Sequence, residues 1–176
     1  VHVTHTQMEA IALADLVVVM EKGRIRQAGA ARDVYGAPQD RYVAEFLGGQ
    51  NVLSGKVEQV NGASILVSAP SMKGIHVPLP EKRHVSSGDK VDLAVRRDHI
   101  HLARPGAAPV AGMSNALGAR VLAVEYQGNF VKVVLEAGQD SEFVAYVAER
   151  EFYADPFDVG DMALATWSTE ESRLLA

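Results

Sequence analysis

The stretch LSGKVEQVNGASILVS, Leu53–Ser68, decides the fold: around Gly62 it lays two short segments of period-two or continuous apolar character end to end. The same pattern continues outward. Gly74 to Leu79 and Val91 to Val95 are further segments of this kind, separated from their neighbours by Pro70, Pro80 and Ser87-Gly88-Asp89. Short strands at this spacing indicate a barrel or sandwich. Arg104-Pro105-Gly106-Ala107-Ala108-Pro109 then breaks the pattern as a connector. A second set follows: Ala119 to Tyr126, Phe130 to Glu136, Glu142 to Val147 and Met162 to Trp167.

The two sets echo each other. Gly55-Lys56-Val57-Glu58-Gln59-Val60 resembles Ala119-Arg120-Val121-Leu122-Ala123-Val124, Gly88-Asp89 resembles Gly160-Asp161, and each set ends in a polar turn before Leu102 or Leu174. This is the signature of a duplicated β unit.

Upstream of Asn51 the character is mixed. Val1–Thr4 has the look of a strand end, and Gln7 to Asp15 of a helix whose apolar face holds Met8, Ile11, Ala12 and Leu13, capped by Thr6 or Thr4. Leu16–Met20 is a short β-branched run expected to be a buried strand. Glu21-Lys22-Gly23 turns the chain into an alternating return strand, Arg24–Gly29. Helices are expected near Ala31–Tyr35 and Arg41–Leu47, with Pro38 between them and Gly48-Gly49 ending the second. The expected class is mainly β: tandem OB-like barrels preceded by a small α/β segment. The boundaries are 1–49, 50–104 for the first β unit, 105–115 for the linker and 116–176 for the second.

Composition narrows the function. With 48% hydrophobic and 22% charged residues, the 176 residues can build a packed core. Apolar runs such as Leu16–Met20 are far short of the ~20 residues of a membrane span, and no basic, apolar leader opens the sequence. The absence of cysteine excludes disulfides, thiol nucleophiles and cysteine zinc sites. Between residues 51 and 110 there are eight basic and five acidic side chains, and from 111 onward four basic and eleven acidic. Because the more aromatic part is the acidic one, no nucleic-acid partner is expected. A free-standing OB-type nucleic-acid module, with salt-sensitive affinity for single strands, is the alternative reading.

The leading chemical candidate is His5, placed where a strand would give way to a helix and a side chain can reach a ligand at the carboxyl end of a sheet. Val3-Thr4-His5, Gln7, Glu9-Ala10, Leu13-Ala14-Asp15, and then Val18-Val19-Met20, Gly23-Arg24-Ile25, Gln27 and Gly29 closely resemble the switch-histidine stretch of ABC-transporter ATPase subunits. Asp33-Val34-Tyr35, Pro38, Tyr42–Gly48 and Asn51 continue the likeness to importer ATPases of the polyamine, ferric-iron, maltose and glycerol-phosphate type. Val95-Arg96-Arg97-Asp98-His99-Ile100 and Tyr126-Gln127-Gly128-Asn129 are similar to segments of the OB-like regulatory region, called TOBE, that follows in that family. Two departures are Thr6, where Asp is usual, and Ala31 near a missing proline.

The resemblance implies that His5 is the switch histidine sensing the terminal phosphate of ATP, with Asp15, Gly23 and Gln27 serving the fold. No Gly-x-x-x-x-Gly-Lys-Ser/Thr loop, Leu-Ser-Gly-Gly-Gln signature or magnesium-holding Asp-Glu pair occurs in these residues. The chain is therefore expected to be a C-terminal piece of a longer subunit. Alone it would be no enzyme and would hold no cofactor or metal; ATP and magnesium would belong to the full-length ATPase. The implied partners are a second copy of itself, the permease subunits of an importer and a small solute such as a polyamine. The implied place is the cytoplasmic face of the membrane, as a peripheral subunit. The strand at Val1 and the run Leu16–Met20 would lack their usual cover, so self-association is expected.

Weaker candidates are His99 with His101 as a metal pair, the acidic group Glu149, Glu151, Asp155, Asp158 and Asp161 as a cation attractor, and Trp167 at a strand end. Phe152, Tyr153 and Phe157 are expected to pack over a barrel end.

Overall fold

The computed structural model describes residues 1–107, 111–138 and 142–176. Residues 108–110 of the expected linker lie outside the described residues, as does the side chain of Met8. The N-terminal segment runs α1 (Gln7–Leu13), β1 (Val17–Glu21), β2 (Arg24–Gly29), α2 (Ala31–Gly36) and α3 (Arg41–Leu47). Lys22 and Gly23 take φ of 48° and 77°, the left-handed pair that lets a two-residue loop join β1 and β2. Asp40 caps α3 by accepting the Val43 N–H at 2.9 Å, and Gly48 ends it at φ 74°.

Two expectations are corrected here. Val1–Thr4 is not a strand, because among the described residues no neighbouring strand offers it a ladder. Leu16–Met20 is buried on one face only. Val17 and Val19 pack against Val34, Val43 and Leu47, whereas Val18 and Met20 are 43% and 54% exposed. Among the described residues the hairpin has helices over one side and none over the other, so an apolar run that looks two-sided in sequence is one-sided in space.

The β body follows as β3 (Gln50–Asn61), β4 (Ser64–Ala69), β5 (Met72–Pro78), β6 (Lys90–Arg96) and β7 (His101–Ala103), then β8 (Asn115–Tyr126), β9 (Phe130–Glu136), β10 (Glu142–Ala148), α4 (Glu149–Phe152), β11 (Met162–Trp167) and β12 (Ser172–Leu174). The strands form two antiparallel five-stranded sheets in the orders β12-β6-β3-β4-β5 and β7-β11-β8-β9-β10. β5 comes round to β12 and β10 to β7, giving two OB-like barrels. The long strands β3 and β8 carry a register shift at the same place, Val57/Gln59 and Val121/Ala123, which bends each around its barrel.

The duplication repeats the strand order, with α4 added before β11 in the second copy, and is crossed in its last strand. β7 ends the first repeat and pairs with β11 of the second; β12 ends the second and pairs with β6 of the first. Each short strand completes the other repeat's barrel. One continuous apolar core accordingly runs through both, from Val57, Ile75 and Leu93 to Val133, Phe143 and Trp167.

Candidate functional site

His5 occupies an exposed bend directly before α1. Thr4 spans it: its hydroxyl accepts the Thr6 N–H at 3.0 Å and donates to Glu9 at 3.2 Å. Thr6 caps the helix by position but its side chain makes no capping bond. Of the residues assigned to the fold, Gln27 is buried and clamps the loop after α2, donating to the Ala37 carbonyl at 3.1 Å and accepting the Gln39 N–H at 2.9 Å. Gly23 makes the hairpin turn and Asp15 is exposed.

The N-terminal segment is fastened to the β body by contacts of two kinds. Ala44 of α3 packs with Ala94 and Leu175 in a small buried patch. Around it, Arg41 donates to Ser54 at 2.6 Å and to Asp92 at 3.2 Å, Gln50 donates to the Tyr35 carbonyl at 3.1 Å, and the Ala176 N–H donates to the Gln39 carbonyl at 2.8 Å.

Beside this junction, where α2 and α3 face the second barrel, lies a cleft of about 740 Å³. Its aromatic walls are Tyr35, Phe130 and Tyr146, and its polar groups include Asp98, His101, Asn129 and Glu151. Phe130 and Tyr146 pack against each other with centroids 4.6 Å apart and planes tilted by 39°. Two arginines, the last residue of β6 and the one after it, brace the walls: Arg96 lies over Tyr35 at 5.6 Å and Arg97 over Tyr146 at 5.7 Å. Arg96 also forks onto Asp98, at 2.9 and 2.5 Å. Burial alone would raise the Asp98 carboxyl, but the Arg96 hydrogen bonds and charge outweigh it and hold Asp98 below its ordinary value. Burial raises the Tyr35 phenol, aided by the Asp98 charge. Arg97 donates to the Tyr146 hydroxyl at 3.1 Å, while its Nε is buried with no partner among the described residues. Sequence reasoning placed Arg96, Arg97 and Asp98 in a family-like segment without assigning them a site. The packing of Arg96 on Tyr35 and of Arg97 on Tyr146 is long-range and had no local signal.

The remaining candidates disperse. His99 sits 3.7 Å from Glu171 and His101 is exposed on β7; among the described residues no three metal-ligating side chains gather. Arg104 splits the acidic group, taking Asp155 at 3.2 Å and Asp161 at 2.8 Å while its guanidinium covers Phe157 at 4.3 Å. Phe152 and Phe157 are buried and Tyr153 is exposed. Trp167 is core: it is fully buried, stacks on Phe143 at 5.3 Å and donates to Ser172 at 2.9 Å.

Comparison with known proteins gives a consistent picture. The TOBE domain family matches residues 93–175. The chain is 30% identical to the spermidine/putrescine import ATP-binding protein PotA of Nitrosomonas eutropha, over 99% of its own length and 47% of the relative's. It is 32% identical to the maltose/maltodextrin import ATP-binding protein MalK of Photobacterium profundum, over 64% of this chain and 31% of that one. It therefore spans at most about half the length of these curated relatives. Among solved structures, the cytoplasmic molybdate-binding protein ModG superposes with a TM-score of 0.63 at 18% identity, covering 72% of this chain and 95% of that one, a likeness of fold.

Proposed function

The chain carries a TOBE domain and corresponds to the C-terminal part of ABC-importer ATP-binding subunits, and from that premise we propose that it is the regulatory and subunit-pairing region of a polyamine importer's ATPase. The observation that carries this reading is the junction at α3: the β body is packed on the N-terminal segment through Ala44, Ala94 and Leu175 and pinned by Arg41. A ligand in the adjoining cleft touches both bodies at once and so biases their arrangement, which is the physical requirement for coupling a sensor to an ATPase.

The cleft suits an organic cation. Tyr35, Phe130 and Tyr146 offer aromatic surface for methylene chains and ammonium groups, and Glu151 offers a carboxylate, with the Arg96-paired Asp98 beside it. Polyamine chemistry also matches the names of the relatives, which are spermidine/putrescine import ATP-binding proteins. His5 is the switch histidine of the assembled ATPase, where it would meet the terminal phosphate of ATP beside magnesium supplied with the nucleotide; the chain by itself neither holds nor hydrolyses ATP. Its partners are the importer's permease subunits and a second copy of the chain, at the cytoplasmic face of the membrane. The bare outer face of the β1–β2 hairpin, with Val18, Met20 and Ile25 exposed, supports pairing with another protein surface.

Calorimetric titration with spermidine, putrescine, maltose, glycerol 3-phosphate, molybdate and ATP–magnesium tests the reading. Saturable binding of a polyamine, weakened by Tyr146→Ala, is the expected result. Silence toward every solute leaves subunit pairing and overturns the sensor. Firm ATP binding contradicts the assignment of nucleotide chemistry to the larger assembly. Sedimentation at high concentration tests the pairing, and a strictly monomeric chain counts against it.

A further inference from the structure

The two repeats have equivalent grooves on the outer faces of their barrels, and the grooves differ in charge. In the second repeat the groove is lined by Ala119 and Arg120 of β8, Glu136 of β9 and Met162 of β11. Arg120 lies 3.9 Å from Glu136 and directly opposite Met162 in the ladder. In the first repeat the corresponding groove, about 700 Å³, is lined by Gly55 and Lys56 of β3, Ser68 of β4, Lys90 and Asp92 of β6, with Arg83 from the loop before β6. Lys56 takes the place of Arg120, Ser68 that of Glu136 and Lys90 that of Met162. The frameworks match closely: Val57 exchanges backbone bonds with Gly88 and Asp89 as Val121 does with Gly160 and Asp161.

Lys56 and Lys90 are direct cross-strand partners. Like charges so placed destabilise a ladder. The second repeat avoids the problem with a carboxylate and a methionine, and the first compounds it with Arg83. Among the described residues no carboxylate comes within 4.0 Å of Lys56, Arg83 or Lys90. The nearby acids already have other partners: Asp92, at the groove's edge, accepts from Ser54 and Arg41, Glu58 from Ser68, and Asp89 from the Ser86 N–H. Pro70, Val91 and Leu175 add apolar surface to the groove.

We propose that this groove of the first barrel binds a soluble phosphate-bearing small molecule carrying two or more negative charges, held between Lys56, Lys90 and Arg83. Three cations converging on a concave surface match a multiply charged oxyanion, whose oxygens accept several charge-assisted hydrogen bonds together. The bound anion cancels the repulsion across β3 and β6, so binding and barrel stability are linked. The site is of opposite charge to the aromatic cleft, and its occupant is independent of the solute proposed there.

The test is titration with pyrophosphate at constant ionic strength, read by calorimetry and by thermal unfolding. The unmodified chain is expected to bind saturably and to unfold at a higher temperature when loaded. Lys90→Met, which installs the side chain of the second repeat, is expected to bind roughly tenfold more weakly, one ion pair at about 1.4 kcal/mol, while unfolding no earlier than the unmodified chain without ligand. Arg120→Met in the other groove is expected to bind as the unmodified chain does. Equal weakening by Lys90→Met and Arg120→Met, or a stabilisation that chloride reproduces at the same ionic strength, overturns the proposal. Co-sedimentation with phosphatidic acid vesicles but no response to pyrophosphate also overturns it, since the phosphate recognised would then be a lipid headgroup.

Discussion

The side chain of Asn51 donates to the carbonyl of Val144 and accepts its N–H, both at 2.8 Å, tying the start of β3 to β10 in the other barrel. Asn115 at the start of β8 does the same to His76 on β5, at 3.0 and 2.7 Å. β5 and β10 are the outer strands of their sheets, with backbone groups that no further strand takes up among the described residues. Each repeat thus plugs the other's open edge with one carboxamide, which mimics a strand's donor and acceptor.

Asn51→Ala leaves both backbone groups of buried Val144 unpaired. It is expected to cost about 2–4 kcal/mol in urea unfolding. Because the core is continuous, the loss is expected to lower one shared transition, monitored by far-UV circular dichroism and Trp167 fluorescence together. Two separated transitions would argue against a single cooperative body.

Ser172 joins the exchanged strand β12 to the core: its Oγ accepts from Trp167 Nε1 at 2.9 Å and from Asn115 at 3.3 Å. Ser172→Ala orphans the buried indole N–H and is expected to cost about 1–3 kcal/mol. A chemical-denaturation series that detects no loss would mean that the indole finds another acceptor.

Gly49 lets Tyr35 lie flat against the backbone; a Cβ there would overlap the ring, with Cζ 2.5 Å away. Gly49→Ala is expected to cost about 1–3 kcal/mol by displacing Tyr35 and to open the aromatic cleft. Combined with Tyr35→Ala, the second change should cost less than it does alone, a coupling that a double-mutant cycle measures.

Asp98 has a lowered pKa in the folded chain, so it favours folding when ionised. That contribution is complete above the unfolded carboxylate value, about 3.9, and is lost as pH falls through the lower folded value. The unmodified chain is expected to lose stability on acidification in that window more steeply than Asp98→Asn. The difference is small because the side chain is 45% exposed. Parallel pH profiles for the two proteins would remove Arg96–Asp98 from the account.

Much of the strand pattern was legible because its causes are local. Alternation marked Phe130–Glu136 at both ends, and Gly88-Asp89 and Gly160-Asp161 announced turns that the structure builds with matching backbone bonds. Leu102 and Leu174 were visible as repeat ends but not as exchanged strands. A three-residue strand has too little sequence to state which sheet it joins. The cleft was illegible for the same reason: Tyr35, Asp98 and Tyr146 meet only after α2 docks beside the second barrel.

Sequence by itself therefore determined the class, the duplication and the likeness to an importer subunit, since periodicity, turn residues and motif spacing are properties of neighbouring positions. Tertiary structure alone decided that β7 and β12 cross over, that Asn51 and Asn115 seal each other's barrels, and that Lys56 faces Lys90 where Arg120 faces Met162. Those facts depend on which backbone edges and charges come together when a shared core closes, and that is fixed by packing between residues far apart in the chain.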